Sequence, residues 1–253
     1  MPTSQEETLS RSWNVVEALA TRIDSAGGRV AVIVAAVFLC VAAGYLIGSI
    51  NPAILISRRV FHKDIRESGS GNAGTTNILR TYGKKYAVLT LLLDMLKAAV
   101  PVLLGYLLYG TVGAPIAGFF CVFGHMFPLY YHFRGGKGVA CTAMVMLLLS
   151  PLTFAVILFC FVVIVALTRY VSLASVMCAL LYPLVLQAFR PANGVMTLMA
   201  ILTTVFVVFM HRANIKRLYD GKESKLELHF GRKKKNGDEA ANGDATDGGE
   251  DRS

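Results

Sequence analysis

Residues 69–77 read G-S-G-N-A-G-T-T-N, and these residue types point to one chemistry, the holding of an anion. Gly69, Gly71 and Gly74 let the backbone approach a ligand closely and turn its N–H groups inward, while Ser70, Asn72, Thr75, Thr76 and Asn77 supply neutral donors. A phosphate needs that combination. Such a string alone also fits a flexible loop. Here Arg80, Lys84 and Lys85 stand close behind it, and a linker has no use for cations beside so many anion-directed donors. It is not a nucleotide-binding P-loop, because no Lys-Ser/Thr pair follows at the required spacing.

A second cluster, F-R-G-G-K-G at 133–138, opens an apolar segment. Gly135 and Gly136 can expose N–H groups at a helix N-terminus and Lys137 adds a point charge, so dipole and cation favour an anion together. A membrane anchor explains Arg134 and Lys137 equally well but leaves the glycines without a purpose. The third cluster, H-R-A-N-I-K-R at 211–217, closes the last apolar segment. On a continued helix His211 shares a face with Asn214, Ile215 and Leu218, although an interfacial histidine is the plainer reading. Ser172, near Arg169 and Ser175, reads as a helix cap or a polar ligand. Asp94 and Lys97 interrupt an apolar run at a spacing of three, which predicts a structural ion pair, and His125 in F-G-H-M-F-P takes a structural role too. Ser70 has no Ser-His-Asp context and reads as a ligand, not a nucleophile.

The elements that position these clusters belong in a membrane. Of 253 residues, 55% are hydrophobic and only 16% charged, and the mean hydropathy is +0.55, too apolar for a soluble domain. The formal +9 sits in junctions between apolar runs and near the C-terminus, without the basic, aromatic-interleaved face of a nucleic-acid binder. Apolar runs at about 30–56, 86–109, 113–131, 138–149, 152–167, 171–189 and 195–210 predict an all-α polytopic bundle of about seven transmembrane helices. The run at 138–149 is short and Pro151 suits a turn or a kink, so five helices with broken elements stay open. Gly44, Gly48 and Ser49 form a small-residue stripe suited to close helix contact.

Basic residues gather in alternate junctions, above all between Arg58 and Lys85, with Arg190 an isolated exception on the other side. That places the N-terminus outside, the C-terminus in the cytoplasm and all three polar clusters on the cytoplasmic face. Residues 1–29 read as an N-terminal extension, 30–223 as the membrane-embedded domain and 224–253 as a charged, disordered tail in which Lys233–Lys235 could meet anionic lipid. The five cysteines fall in or beside apolar runs without metal-ligand spacing and read as packing residues.

The serial motifs G-S-G-N-A-G-T-T-N, G-H-M-F-P, F-R-G-G-K-G-V-A, R-Y-V-S-L-A-S and H-R-A-N-I-K-R-L-Y-D-G-K-E together resemble the PlsY-type glycerol-3-phosphate acyltransferases over residues 44–223. The resemblance implies a seven-helix enzyme of the bacterial inner membrane in phospholipid synthesis. It implies acyl phosphate as donor, glycerol 3-phosphate as acceptor, no metal or cofactor, and a functional link to an enzyme that makes acyl phosphate. Carried over by motif position, Ser70 and its glycine loop hold phosphate, Arg80 and Lys137 engage anionic groups, and His211 with Asn214 completes the acceptor site. Substrate phosphate is thought to assist proton removal in this family. Thr75, Arg134 and Cys141 stand where the family commonly has Ala, Lys and Thr.

An acyl phosphate already carries a good leaving group, so cations and N–H groups that position two anions suffice for catalysis. The alternative from another class is a membrane transporter for a phosphorylated small molecule. It calls for a midplane site between repeated halves, whereas the polar clusters here lie on one face and no repeat is evident. An acyl-CoA-dependent enzyme would show His with Asp five residues later, and none of the histidines has it.

Overall fold

The computed structural model describes residues 14–189 and 194–226. Residues 1–13, Arg190, the Lys233–Lys235 cluster and the polar tail from Gly231 lie outside them. The described residues contain helices and no strand.

A short helix α1 (Val15–Ala20), capped by Asn14, precedes α2 (Ala26–Gly48). The first apolar segment was expected to run to Ile56, but α2 stops at Gly48. The side chain of Asn51 accepts a hydrogen bond from Ile54 N at 3.1 Å and Pro52 cannot donate to a preceding turn, so a new helix α3 (Pro52–Phe61) starts there. A 3-10 turn at Ile65–Glu67 leads through the glycine-rich loop into α4 (Thr75–Tyr82).

The element α5 (Lys84–Met126) is helical along its length except at Tyr109 (φ −142°, ψ 33°) and Gly110 (φ 54°, ψ −135°). Gly110 supplies the left-handed φ that reverses the chain. The limbs 84–108 and 111–126 then run antiparallel: Gly105 packs on Gly113, Val102 on Gly118, and the Cys121 thiol lies 3.8 Å from the Lys97 carbonyl. The expected junction at 110–112 is this reversal. The third apolar run was expected to reach Tyr131, but the helix ends at Met126, and Leu129–Tyr131 is a separate 3-10 turn after Pro128.

Next come α6 (Val139–Leu149), α7 (Pro151–Thr168), α8 (Val171–Phe189), α9 (Gly194–Met210) and α10 (Arg212–Tyr219). Pro151 marks a turn, since α7 begins on it. By length and composition, four helical stretches among the described residues can cross a membrane, or five with α9 and α10, bent by 55°, taken as one. That count treats the two limbs of α5 as a single stretch.

The stripe of small residues does what its composition predicts. A Cβ on Gly44 would lie 2.5 Å from the Ala117 carbonyl, on Gly48 2.2 Å from that of Cys121, and on Gly124 2.4 Å from that of Tyr45. The backbones of α2 and the second limb of α5 therefore touch, the contact by which helices associate where lipid offers no hydrophobic drive. Side chains such as Phe38, Phe159 and Leu167 point outward, as a lipid-facing surface requires.

Candidate active site

The loop before α4 is shaped by glycine conformation and one buried amide. Gly69 and Gly71 adopt φ of +58° and +71°, a region that side chains disfavour. Asn77, 1% exposed, accepts from Ser70 N at 2.9 Å and donates to the carbonyls of Ile65 (3.1 Å) and Ser68 (2.9 Å). Its amide is thus committed to holding the loop. Gly74 caps α4 with no side-chain bond, so first-turn N–H groups there remain for a ligand.

The loop at 134–138 is held differently. Gly135 N and Gly136 N donate to the carbonyls of Met126 (3.2 Å) and His125 (3.1 Å), so these two N–H groups do not face an anion as the sequence suggested. What the glycines provide is close approach: a Cβ on Gly135 would lie 2.0 Å from the His125 carbonyl, and one on Gly136 2.1 Å from the His125 ring. Arg66 braces the loop, donating to Tyr131 O (2.9 Å) and Arg134 O (3.1 Å) while held by Asp64 at 2.8 Å. The Arg66 and Arg58 guanidiniums keep the Asp64 carboxyl well below the usual carboxylate range. Arg66 counted only as junction charge in the sequence, yet it ties two polar segments together.

Beneath this loop Asp94, Lys97 and His125 form a buried cluster. The Lys97 ammonium lies 3.0 Å from Asp94 Oδ1 and 2.8 Å from His125 Nδ1, and donates to Ile50 O at 2.6 Å. The predicted pair is present and extends to His125. Asp94, His125 and Cys141 lie close enough together to hold a metal ion, but the Lys97 ammonium bridges Asp94 and His125 and supplies the cation there.

The third cluster meets the second directly, and a carboxylate ties it to Ser172. Lys137 Nζ donates to Asn214 Oδ1 at 2.5 Å. Asn214 Nδ2 donates to Glu223 Oε1 at 2.7 Å, the same oxygen accepts from Ser172 Oγ at 2.8 Å, and Oε2 accepts from Arg217 Nε at 2.7 Å. Ser172 is therefore a partner of Glu223 and not a helix cap. Burial would raise the Glu223 carboxyl, but the hydrogen bonds from Asn214, Arg217 and Ser172 outweigh it and hold the carboxyl low. Glu223 is the residue that sequence reasoning passed over; its signal was a lone carboxylate ending a motif otherwise rich in cations. Beyond it, Leu226 N donates to Arg169 O at 2.8 Å and Arg80 reaches Ser224 O at 3.4 Å, so residues 224–226 pack against the site.

His211 lies in the break between α9 and α10, so the helix does not continue smoothly, yet both His211 and Asn214 are buried there. His211 Nδ1 lies 2.8 Å from Val207 O. A carbonyl only accepts, so Nδ1 carries the proton and Nε2 presents a lone pair. Burial and the nearby Lys137 charge push the imidazole down to about 4, which keeps it neutral. Burial likewise pushes Lys137 down to about 8, with Glu223 opposing and Arg217 and Arg80 assisting.

Residues of all three clusters line one cavity of about 430 Å³. Ser70, Asn72, Gly74, Thr76, Asn77, Arg80, Lys137, Ser172, His211 and Asn214 line it, joined by Glu223. Gly69, Gly71, Gly135 and Gly136 stand behind the lining and shape it. The N-termini of α4 and α6 both contribute to the wall, adding partial positive charge to Arg80 and Lys137. Another part of the wall is apolar, with Met146, Phe154, Ile157, Phe161 and Tyr182. Such a cavity can seat a phosphorylated head group and an aliphatic chain at once.

A family model described as glycerol-3-phosphate acyltransferase matches residues 38–221. The chain belongs to the glycerol-3-phosphate acyltransferase family. The family member of Finegoldia magna is 42% identical over 185 residues, covering 72% of this chain and 92% of the relative. That of Thermoanaerobacter sp. (strain X514) is 43% identical over 182 residues, covering 72% and 91%. The crystal structure of PlsY (YgiH), an integral membrane glycerol 3-phosphate acyltransferase, in its glycerol 3-phosphate form superposes with a TM-score of 0.72 at 35% identity, covering 76% of this chain and 96% of that one. The lysophosphatidic acid form gives 0.69 at 34% identity, covering 76% and 95%. The matched region holds all three polar clusters but ends just short of Glu223.

Proposed function

We propose that this site transfers a fatty acyl group from acyl phosphate to glycerol 3-phosphate, releasing lysophosphatidic acid and phosphate. The observation that carries the reading is a single cavity lined both by cations with the N–H-rich loop and by a group of apolar side chains. The acyl chain lies in the apolar part. Ser70, Asn72, Gly74, Thr76, Arg80, Lys137 and the two helix N-termini hold the phosphates.

The acceptor hydroxyl oxygen attacks the acyl carbonyl carbon, the bond from that carbon to the phosphate oxygen breaks, and phosphate leaves. His211 Nε2 accepts a hydrogen bond from the attacking hydroxyl and orients it. A ring held near 4 does not retain the proton, which passes to a phosphate oxygen instead. Asn214, fixed by Glu223, keeps Lys137 beside the reacting groups. Catalysis then rests on positioning and charge stabilisation, and no covalent enzyme intermediate forms.

The reading extends to topology. The two limbs of α5, with α2, α6, α7, α8 and α9, make seven crossings, the N-terminus outside and the C-terminus in the cytoplasm of a bacterial inner membrane. At about 1.5 Å per residue the 11 residues of α6 span about half of a hydrocarbon core, so α6 crosses only together with the non-helical residues at its ends. The membrane domain reaches residue 226, and an enzyme that makes acyl phosphate supplies the donor.

The test compares donors with purified protein and glycerol 3-phosphate. Lysophosphatidic acid should form from acyl phosphate without added metal and barely at all from acyl-CoA. Equal rates from the two donors would contradict the proposal.

A further inference from the structure

The Asp94, Lys97 and His125 cluster holds one group that neither the packing nor the proposed mechanism uses. Lys97 Nζ has three protons and three neighbours: Asp94 Oδ1 at 3.0 Å, Ile50 O at 2.6 Å and His125 Nδ1 at 2.8 Å. His125 Nδ1 also lies 3.2 Å from Asp94 Oδ1. The ammonium has no lone pair, so Nδ1 accepts from it in a neutral ring, while in a doubly protonated ring Nδ1 donates to Asp94. A neutral ring with its proton on Nδ1 would set that donor against the ammonium 2.8 Å away. Nε2 carries a proton in both of the other forms.

No hydrogen bond from Nε2 is made among the described residues, and His125, 3% exposed, lines the cavity. A donor on a cavity wall can bond to a group that enters it. Its setting says what that is. A Cβ on Gly136 would stand 2.1 Å from His125 Nε2 and 2.7 Å from the Ala73 carbonyl, so the ring edge lies where the 69–77 loop meets the 134–138 loop, next in sequence to Lys137. A side chain at 136 would collide with that edge.

We infer that His125 is a further substrate-contacting residue, whose Nε2–H donates to a phosphoryl oxygen of bound substrate, with Asp94 and Lys97 as positioning residues that keep its Nε2 protonated and fix its orientation. The inference rests on the proposed acyl-phosphate chemistry. The phosphoryl oxygen belongs either to glycerol 3-phosphate or to the acyl phosphate, and the same bond serves both. The sequence assigned His125 a structural role; the structure adds a donor aimed at the reaction.

The experiment follows the ring nitrogens of histidine-¹⁵N-labelled wild-type protein in nanodiscs, with His125 assigned by the loss of its signals in His125→Gln. Glycerol 3-phosphate, a non-reacting acyl phosphonate and inorganic phosphate are added separately. The His125 Nε2–H signal should shift and exchange more slowly with water, and the ligand that moves it most identifies the phosphate concerned. In parallel, His125→Leu should lower kcat/KM by about tenfold or more, while His125→Gln, whose carboxamide keeps one acceptor and one donor, should stay within about threefold of wild type. If His211 responds to ligand and His125 stays still with all three, the inference is overturned while the proposed function stands. That spectrum decides the matter even where a variant fails to fold. Failure of the proposed function shows separately, as wild-type protein that makes no lysophosphatidic acid from acyl phosphate.

Discussion

In the 69–77 loop Gly69 and Gly71 stand at φ of +58° and +71°, and around Gly71 the nearest atom to an added Cβ is the Arg66 carbonyl at 3.3 Å. In the 134–138 loop Gly135 and Gly136 have no positive φ, yet an added Cβ would come within 2.0 and 2.1 Å of His125. The first loop needs glycine for a backbone conformation. At Gly135 and Gly136 the second needs it for an absence of volume, because they lie directly on His125, although Gly138 beyond them also takes a positive φ, of +78°. Two strings that look alike as phosphate loops thus differ in how they fail, the first by local strain and the second by displacement of everything packed beneath it.

The sharpest break of this comparison is Gly136→Ala. The added methyl must push the His125 ring or the 73–74 backbone aside and carry Lys137 with it, and acyl transfer should fall on the order of a hundredfold. Steady-state kinetics on reconstituted protein reads this directly, and a fall of only a few-fold would show that the cluster yields. Next come Gly69→Ala and Gly71→Ala, which separate strain from volume within one loop. Both pay about 1–2 kcal/mol for the left-handed conformation, but only Gly69→Ala also meets Asn77 Oδ1, at 2.3 Å. The KM for substrate should therefore rise more for Gly69→Ala than for Gly71→Ala, and the reverse order would move the anion contact toward Gly71.

The smallest effect is on pH. Lys137 is a cation below about 8 and loses its charge as pH rises through that value, while a phosphate monoester gains its second charge near about 6. The kcat/KM for glycerol 3-phosphate should peak between these limits and decline above about 8. Lys137→Arg, whose guanidinium stays charged, should remove the decline even if its geometry lowers the peak. A decline that persists in Lys137→Arg would assign it to another group.

The polar clusters were readable in the sequence because anion chemistry demands glycines, hydroxyls and cations where a membrane protein otherwise avoids them. The distribution of charge placed them on one membrane face, and the structure brings them to one cavity. The reversal at Gly110 was readable as a short uncharged junction between two membrane-length runs. The end of α2 was overrun because Ser49 to Ile56 continues an apolar stretch, although Asn51-Pro52 is a helix-start signal in its own right. Glu223 was missed because its role depends on α8 and α10 meeting in space, and spacing along the chain says nothing of that. The same limit hid the donor capacity of His125, which is set by a lysine 28 residues away.

The account stands on three separate segments forming one phosphate site, and alanine substitution across them tests it most directly. Ser70→Ala, Arg80→Ala and Lys137→Ala, each verified as folded in membranes, are assayed for acyl transfer from acyl phosphate to glycerol 3-phosphate. Loss of a charge-assisted contact costs about 1.5–3 kcal/mol, so each change should lower kcat/KM by about tenfold or more. Activity near wild type in all three would place the site elsewhere.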